Sequence, residues 1–231
     1  MTDSSSATTA IHGGEGNRRR GEAMATPTTL STSFYTHPDA VGFSASDLKA
    51  DAPHFYTRWS NPTLELLEKR LALLEGGEAA VSFASGMAAI VTLFHDRLSP
   101  GDHLVMSNVC YAGVSEYAHH ALVKLGIGVT AVDTSDPQRV ADAMRLETKL
   151  VHIETPANPI LRIADIAALS RLAHERSIPL AVDSTWAGPA IQRPATGGAD
   201  YVIHSLTKYL NGHGDALGGA ICGRSDALHR I

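Results

Sequence analysis

From residue 79 to residue 223, short apolar runs alternate with longer stretches whose apolar positions recur at helical spacing. The runs at 79–84, 103–107, 127–132, 149–154, 178–183, 201–205 and 218–223 have the length of buried strands. The stretches at 87–97, 112–124, 136–147 and 165–176 read as helices. Strands that alternate with helices predict βαβ units and a mainly parallel sheet. Ile178-Pro179-Leu180-Ala181-Val182 has no polar position, as a strand covered on both faces requires. The expected fold class is therefore α/β: one doubly wound domain with a mainly parallel seven-stranded sheet and helices on both faces. The chain shows no internal repeat.

Upstream of that alternation, Asn61-Pro62 is a helix start. Asn caps, and proline's missing N–H has no partner in a first turn anyway. Leu64, Leu67, Leu71 and Leu74 then share one face, and Gly76-Gly77 closes the helix. Residues 25–60 hold neither period and carry scattered Pro, Ser and Thr, which predicts an extended arm. The first ten residues, MTDSSSATTA, read as a flexible tail. The expected organisation is a tail and arm over 1–60 and an α/β domain over 61–231.

Composition narrows the function classes. Hydrophobic residues make up 44% of the 231, enough for a compact core. Net charge is −5, from 19 basic and 24 acidic residues, and no basic patch marks a nucleic-acid partner. The one basic run, Arg18-Arg19-Arg20, reads as a solvated segment. No apolar run is long enough to span a membrane, so no membrane partner is expected and the cytoplasm is the expected compartment. Cys110 and Cys222 have no CxxC spacing and read as reduced thiols. The 12 histidines show no metal-ligand spacing, and the adjacent His119-His120 point to different sides of a helix, so no metal is expected.

Ligands of open α/β sheets bind at the carboxyl ends of the strands. Ser85-Gly86 follows the first predicted strand, Tyr111 the second and Asn158 the fourth. Asp183 ends the fifth, and Ser205 to Lys208 follows the sixth. One rim thus collects a hydroxyl and glycine turn, an aromatic ring, an amide, a carboxylate and a lysine. An aldehyde cofactor with a phosphate and a pyridine nitrogen requires such a set. Each residue alone has a plainer reading. Ser85-Gly86-Met87 is either a tight turn or a phosphate site at a helix N-terminus. Asp183 is either a structural hydrogen-bond partner or the counter-charge of a pyridine nitrogen. Lys208 alone would be a surface residue. The hydroxyls of Ser205 and Thr207 beside it, able to bond phosphate oxygens, favour a nucleophile.

At Lys208 these features meet a known pattern. Ser205-Leu206-Thr207-Lys208-Tyr209-Leu210-Asn211-Gly212-His213-Gly214-Asp215 closely resembles the pyridoxal-phosphate signature of the Cys/Met transsulfuration enzymes, which include cystathionine γ-synthase, cystathionine lyases and methionine γ-lyase. Further blocks follow in the family's order: His12-Gly13-Gly14, Thr29 to Phe34, Tyr56-Thr57-Arg58-Trp59-Ser60-Asn61-Pro62-Thr63, Ser85 to Ala89, and Glu154-Thr155-Pro156-Ala157-Asn158-Pro159.

The resemblance implies the large domain of a fold-type I enzyme that uses pyridoxal 5'-phosphate. It implies β/γ-elimination or γ-replacement on sulfur amino acids or O-acyl-homoserine, with lyase and synthase both open. Lys208 would bond the cofactor and move protons, and Asp183 would pair with the pyridine nitrogen. Tyr111 would stack on the ring and help activate the substrate. Gly86, Met87, Ser205 and Thr207 would hold the phosphate, Asn158 would lie near the ring hydroxyl, and Ser85 and Thr185 would complete the cofactor-binding set. Tyr56 and Arg58 would reach the phosphate of the neighbouring subunit, in a homodimer or homotetramer with shared sites.

The chain departs from the pattern in several places. Tyr111-Ala112-Gly113-Val114 stands where relatives usually have Gly after Tyr and Thr at the fourth place. The cysteine of methionine γ-lyases would fall at Gly113, which argues against that activity. Asp183-Ser184-Thr185 replaces the commoner Asp-Asn-Thr. The chain stops at Ile231, whereas family members continue into a C-terminal domain that grips the substrate carboxylate. The resemblance therefore also allows a truncated, non-catalytic chain that binds cofactor or a partner subunit without turnover.

Overall fold

The computed structural model describes residues 5–17, 19–35 and 54–231. Its centre is a seven-stranded sheet: β1 (Ala79–Phe83), β2 (His103–Ser107), β3 (Gly128–Val132), β4 (Thr148–Glu154), β5 (Leu180–Asp183), β6 (Tyr201–Ser205) and β7 (Gly219–Gly223). The spatial order is β1-β7-β6-β5-β4-β2-β3. β7 runs antiparallel to both its neighbours, and every other pairing is parallel. The mainly parallel sheet read from the sequence is the one observed. β5 begins two residues later than expected, because Pro179 has no N–H to give to a ladder.

Helices cover both faces, as near-continuously apolar strands demand. On one side Val105, Val151, Ile153, Val182 and Val202 pack with Val140 of α5 (Pro137–Ala143) and Leu169 of α6 (Ile166–His174). On the other, Leu104, Met106, Leu150, Ile203 and Ile221 pack with Ile90, Leu93 and Phe94 of α3 (Gly86–Arg97). α5 ends earlier than the expected 147. The Arg145 amide donates to the Thr148 hydroxyl at 2.8 Å, and that turn delivers the chain to β4. The helix expected over 112–124 is divided: α4 (Ala112–Glu116) widens into a π-helical segment, Tyr117–Leu122.

α2 (Pro62–Glu75) starts and stops where the sequence places it. The Asn61 side chain accepts from the Thr63 amide, and Gly76 takes the left-handed conformation at φ 74°. Of its predicted apolar stripe Leu71 is buried, whereas Leu64 and Leu67 are exposed, because the helix meets β1 and β7 through its C-terminal half. There Glu75 is fully buried and accepts from or donates to His204 Nε2 of β6 at 2.6 Å.

The expectation of a flexible tail over the first ten residues is corrected in part. Ser6–His12 form α1, capped by the Ser5 hydroxyl. No residue of α1 is buried. It is tied down from outside: Arg193 donates to the Ser6 hydroxyl at 2.7 Å, and Arg70 donates to the Gly13 carbonyl at 3.1 Å. Capping and two distant arginines order a segment whose composition offered no packing face. Part of the expected arm, residues 36–53, lies outside the described residues, as does Arg18. α7 (Gly188–Ile191) and α8 (Ser225–Leu228) complete the α-helices of the described residues.

Candidate active site

The carboxyl ends of β1, β4, β5 and β6, together with the segment after β2, open on one cavity of about 830 Å³. Its lining includes Ser85, Gly86, Met87, Tyr111, Asn158, Asp183, Thr185, Ser205, Thr207 and Lys208. Ten of the twelve residues proposed from the sequence thus meet in one place.

One end of the cavity is built by β1, α3 and β7. Ser85 caps α3, its hydroxyl accepting from the Ala88 amide at 3.1 Å. The amides of Gly86 and Met87 open the 12-residue helix without an intrahelical acceptor, and the helix dipole adds to their pull on an anion. Glycine at 86 is a packing requirement: a Cβ there would lie 2.8 Å from the Ser205 Cβ. The Ser205 side chain makes no hydrogen bond to the described residues and is free for a ligand. Thr207 is less free than expected. Its hydroxyl donates to the Gly218 carbonyl (3.3 Å) and accepts from the Gly218 amide (3.2 Å), which ties the lysine turn to the start of β7.

Asp183, 6% exposed, ends β5. Its Oδ1 accepts from the Thr185 amide at 3.0 Å and the Thr185 hydroxyl at 2.5 Å. The Thr185 hydroxyl accepts in turn from the Ser205 amide at 2.9 Å, so Thr185 fixes the carboxylate and joins the ends of β5 and β6. Asp183 Oδ2 receives no hydrogen bond from the described residues, which leaves it for a ligand donor. Lys208 lies in the turn after β6, its amide donating to the Ser205 carbonyl at 3.2 Å. No carboxylate of the described residues pairs with its ammonium. The Lys208 residue is exposed at this rim.

Tyr111 precedes α4 and is 50% exposed. Its ring lies over Gly113, where a Cβ would approach the Tyr111 Cε1 to 2.8 Å. A cysteine at that position would displace the ring. Cys110 is no substitute nucleophile: burial, then the charges of Glu154 and Asp183, push its thiol up to about 12.

The residue missed by sequence reading is Glu154. It ends β4, pairs in register with Asp183 and lines the cavity. Its Oε2 accepts from the Tyr111 amide at 2.6 Å and its Oε1 from the Asn158 amide at 2.7 Å. Burial, reinforced by the Asp183 charge, raises its pKa to about 7. It was legible only as a member of the Glu154 to Pro159 block, because its partners are distant in sequence. Trp186 and Tyr209, also missed, line the cavity as a tilted ring pair with centroids 5.9 Å apart.

Tyr56 and Arg58 are not at the cavity. Tyr56 bridges to Ser33 in the segment before α2, and the Arg58 guanidinium sits 5.2 Å from the ring centroids of Tyr56 and Trp59. Within the single chain these two residues are not brought to the other ten.

Residues 7–230 match the family described as Cys/Met metabolism PLP-dependent enzyme. The chain belongs to that family. The L-methionine gamma-lyase of Pseudomonas putida is 40% identical over 225 residues, 97% of this chain and 56% of the relative. The canavanine gamma-lyase of Pseudomonas canavaninivorans is 38% identical, over 100% of this chain and 57% of the relative. Among solved structures, MetB from Corynebacterium glutamicum superposes with a TM-score of 0.88 at 36% identity, covering 98% of this chain and 57% of that one. Cystathionine gamma-lyase from Lactobacillus plantarum gives 0.87 at 35% identity, covering 98% and 56%. The chain spans about half the length of the curated relatives it matches. The fold is that of fold-type I PLP enzymes. The cofactor of this family, pyridoxal phosphate, fits the cavity on the chain's own features: two free helix amides and the Ser205 hydroxyl for a phosphate, a carboxylate oxygen without a donor, and an unpaired lysine. Among the described residues no cluster of side chains could hold a metal.

Proposed function

We propose that the protein to which this chain belongs is a pyridoxal-phosphate-dependent enzyme of sulfur amino-acid metabolism. It acts by β/γ-elimination or γ-replacement on sulfur amino acids or O-acyl-homoserine. The observation that carries this reading is the meeting of Lys208, Asp183, Tyr111 and the Ser85–Met87 turn in one cavity. The sequence likeness to γ-lyases supports elimination at the γ-position.

The cofactor, when bound, supplies a covalent anchor for the substrate amino group and a sink for the electrons of a broken Cα–H bond. The chain's residues do the rest. The Gly86 and Met87 amides and the Ser205 hydroxyl would hold the phosphate, with Thr207 keeping the lysine turn against β7. The Asp183 carboxylate would accept from a protonated ring nitrogen and keep its charge in place. The Lys208 amine would take the proton from the substrate Cα and return it at a later carbon. The Tyr111 ring and Asn158 would line the space on either side of the group.

Tyr56 and Arg58 belong in this reading to the phosphate site of a neighbouring subunit. Supporting it, the exposed guanidinium lies beside the Tyr56 and Trp59 rings and forms no ion pair with a carboxylate of the described residues. The oligomer is a homodimer or homotetramer, with residues 1–60 as the part that reaches across. Its compartment is the cytoplasm; among the described residues no helix is long and apolar enough to cross a membrane.

Borohydride reduction of the cofactor-loaded protein, then peptide mapping, tests the assignment. The label belongs on Lys208, and a label elsewhere refutes it. In the whole protein, mixing Arg58→Ala protomers with Lys208→Ala protomers should restore part of the turnover that each lacks alone. No recovery from mixed, exchanged subunits would refute the shared site. Assays with methionine, cystathionine, canavanine and O-acyl-homoserines then identify the leaving group.

A further inference from the structure

We propose that Glu154 is the positioning residue of this site: by accepting from the backbone amides of Tyr111 and Asn158 with one oxygen each, it sets the two residues that flank the cofactor ring and completes, with Asp183, a paired-carboxylate seat for a cationic ring. The proposal rests on the cofactor reading above and deepens it.

The geometry leaves Glu154 little other purpose. It is 4% exposed, and its two oxygens meet two N–H donors, at 2.6 and 2.7 Å. Those donors come from the segment after β2 and the segment after β4, so one side chain staples two loops that do not otherwise share a strand. Its own amide donates to the Ser107 hydroxyl at 3.1 Å, and Ser107 bonds Thr134 at 2.8 Å, which fixes the strand end from behind. Only a group with acceptors on both arms fits. A glutamine would turn an NH₂ toward one of the amides.

The charge arrangement points to a ligand. Glu154 and Asp183 stand opposite each other in register, both nearly buried, and no basic side chain of the described residues pairs with either. A buried carboxylate pair without a counter-charge is costly. A protonated pyridine ring at Asp183 would supply that counter-charge. The ionised form of Glu154 is then favoured in the complex more than in the empty site, so binding expels a proton. Raised to about 7 in the empty site, Glu154 makes affinity climb with pH up to about 7 and level off above it. The other titratable groups around it are Asp183 on β5, His152 on its own strand, Cys110 and Tyr111 after β2, and Lys208 after β6. Burial and the carboxylate charges push Cys110 up to about 12, and burial pushes His152 down to about 4. Neither titrates in the window in question.

The test uses two probes on the protein and its Glu154→Gln variant. Pyridoxamine phosphate carries the phosphate and the ring but no aldehyde, so its binding involves no bond to Lys208. Its dissociation constant, followed by fluorescence from pH 6 to 8, should fall several-fold up to pH 7 in the parent protein. In Glu154→Gln it should be weaker by about tenfold at pH 8, the scale of one lost charge-assisted hydrogen bond, and should lose the inflection near pH 7, keeping only the slope of the probe's phosphate, which loses its second proton near about pH 6. The visible circular dichroism of bound pyridoxal phosphate, which reports how the ring is held, should lose intensity in the variant. Parent-like affinity, pH profile and dichroism in Glu154→Gln would overturn the proposal. If that variant does not fold, Glu154→Asp keeps the charge but reaches only one amide. It should keep the pH profile and alter the dichroism, and an unaltered dichroism would overturn the proposal equally. A parent protein that binds neither probe would instead sink the cofactor reading itself.

Discussion

Gly219 is the first residue of β7, between Phe83 of β1 and Ser205 of β6. Replacing it with alanine tests how the Ser85–Met87 end of the cavity is built. A Cβ there would run into the Ser85 carbonyl oxygen and lie 2.5 Å from the Ser85 carbonyl carbon and 2.8 Å from the Gly86 nitrogen. Comfortable carbon–oxygen contacts begin at about 3.3 Å, so the turn must retreat by about 1 Å or more. All three atoms are backbone, and no side-chain rotation relieves them. The same carbonyl accepts from the Ala89 amide at 3.1 Å, so the first turn of α3 moves with it. Overpacking of this kind costs about 1–3 kcal/mol. In a domain of this size that lowers the melting temperature by roughly 3–10 °C. Cofactor binding should suffer more, because the displaced atoms carry the Gly86 and Met87 amides. Thermal unfolding and a fluorescence titration with pyridoxal phosphate measure both, with Gly16→Ala as the control because nothing lies within 4 Å of its Cβ. We expect affinity to fall by about tenfold or more, the scale of one lost charge-assisted contact. A Gly219→Ala protein with the control's melting temperature and affinity would refute this account of the turn.

His152 is fully buried, and neither ring nitrogen has a partner among the described residues, with Phe94 edge-on at 5.3 Å. Burial lowers its pKa from 6.5 to about 4, so the stability it confers is complete above pH 6.5 and is lost as pH falls toward 4, by roughly 3 kcal/mol. His152→Leu should therefore unfold at higher temperature and lose that part of the acid sensitivity; a parent-like pH profile of melting temperature would count against it. Asp183→Asn should lower kcat of the whole enzyme on the order of a hundredfold, as loss of a charge-stabilising group does, while leaving thermal stability nearly unchanged. An unchanged kcat would remove Asp183 from its assigned role.

Much of the site was legible in the sequence because the rim of a parallel sheet is written locally. A strand announces itself by an apolar run, and the residue that ends the run lies at the rim. Ser85, Asp183 and Lys208 were found that way, and the cap at Asn61 and the stop at Gly76 are equally local. The order of strands, and with it the partners across the rim, was not local. That Glu154 stands opposite Asp183 depends on β4 and β5 pairing in one register. That Glu154 holds the Tyr111 amide depends on β2 lying on its other side. The single reversed strand, β7, places Gly219 under the Ser85 turn and Gly218 against the Thr207 hydroxyl, contacts between residues more than ten apart in the chain or more than a hundred. Such contacts are paid for by burial of the whole sheet and leave no pattern in any short window. The same reason separates Tyr56 and Arg58 from the cavity. Their motif is plain in the sequence, yet the single chain puts them in a segment of their own, because a residue's neighbours in space are decided by how the domain folds and assembles.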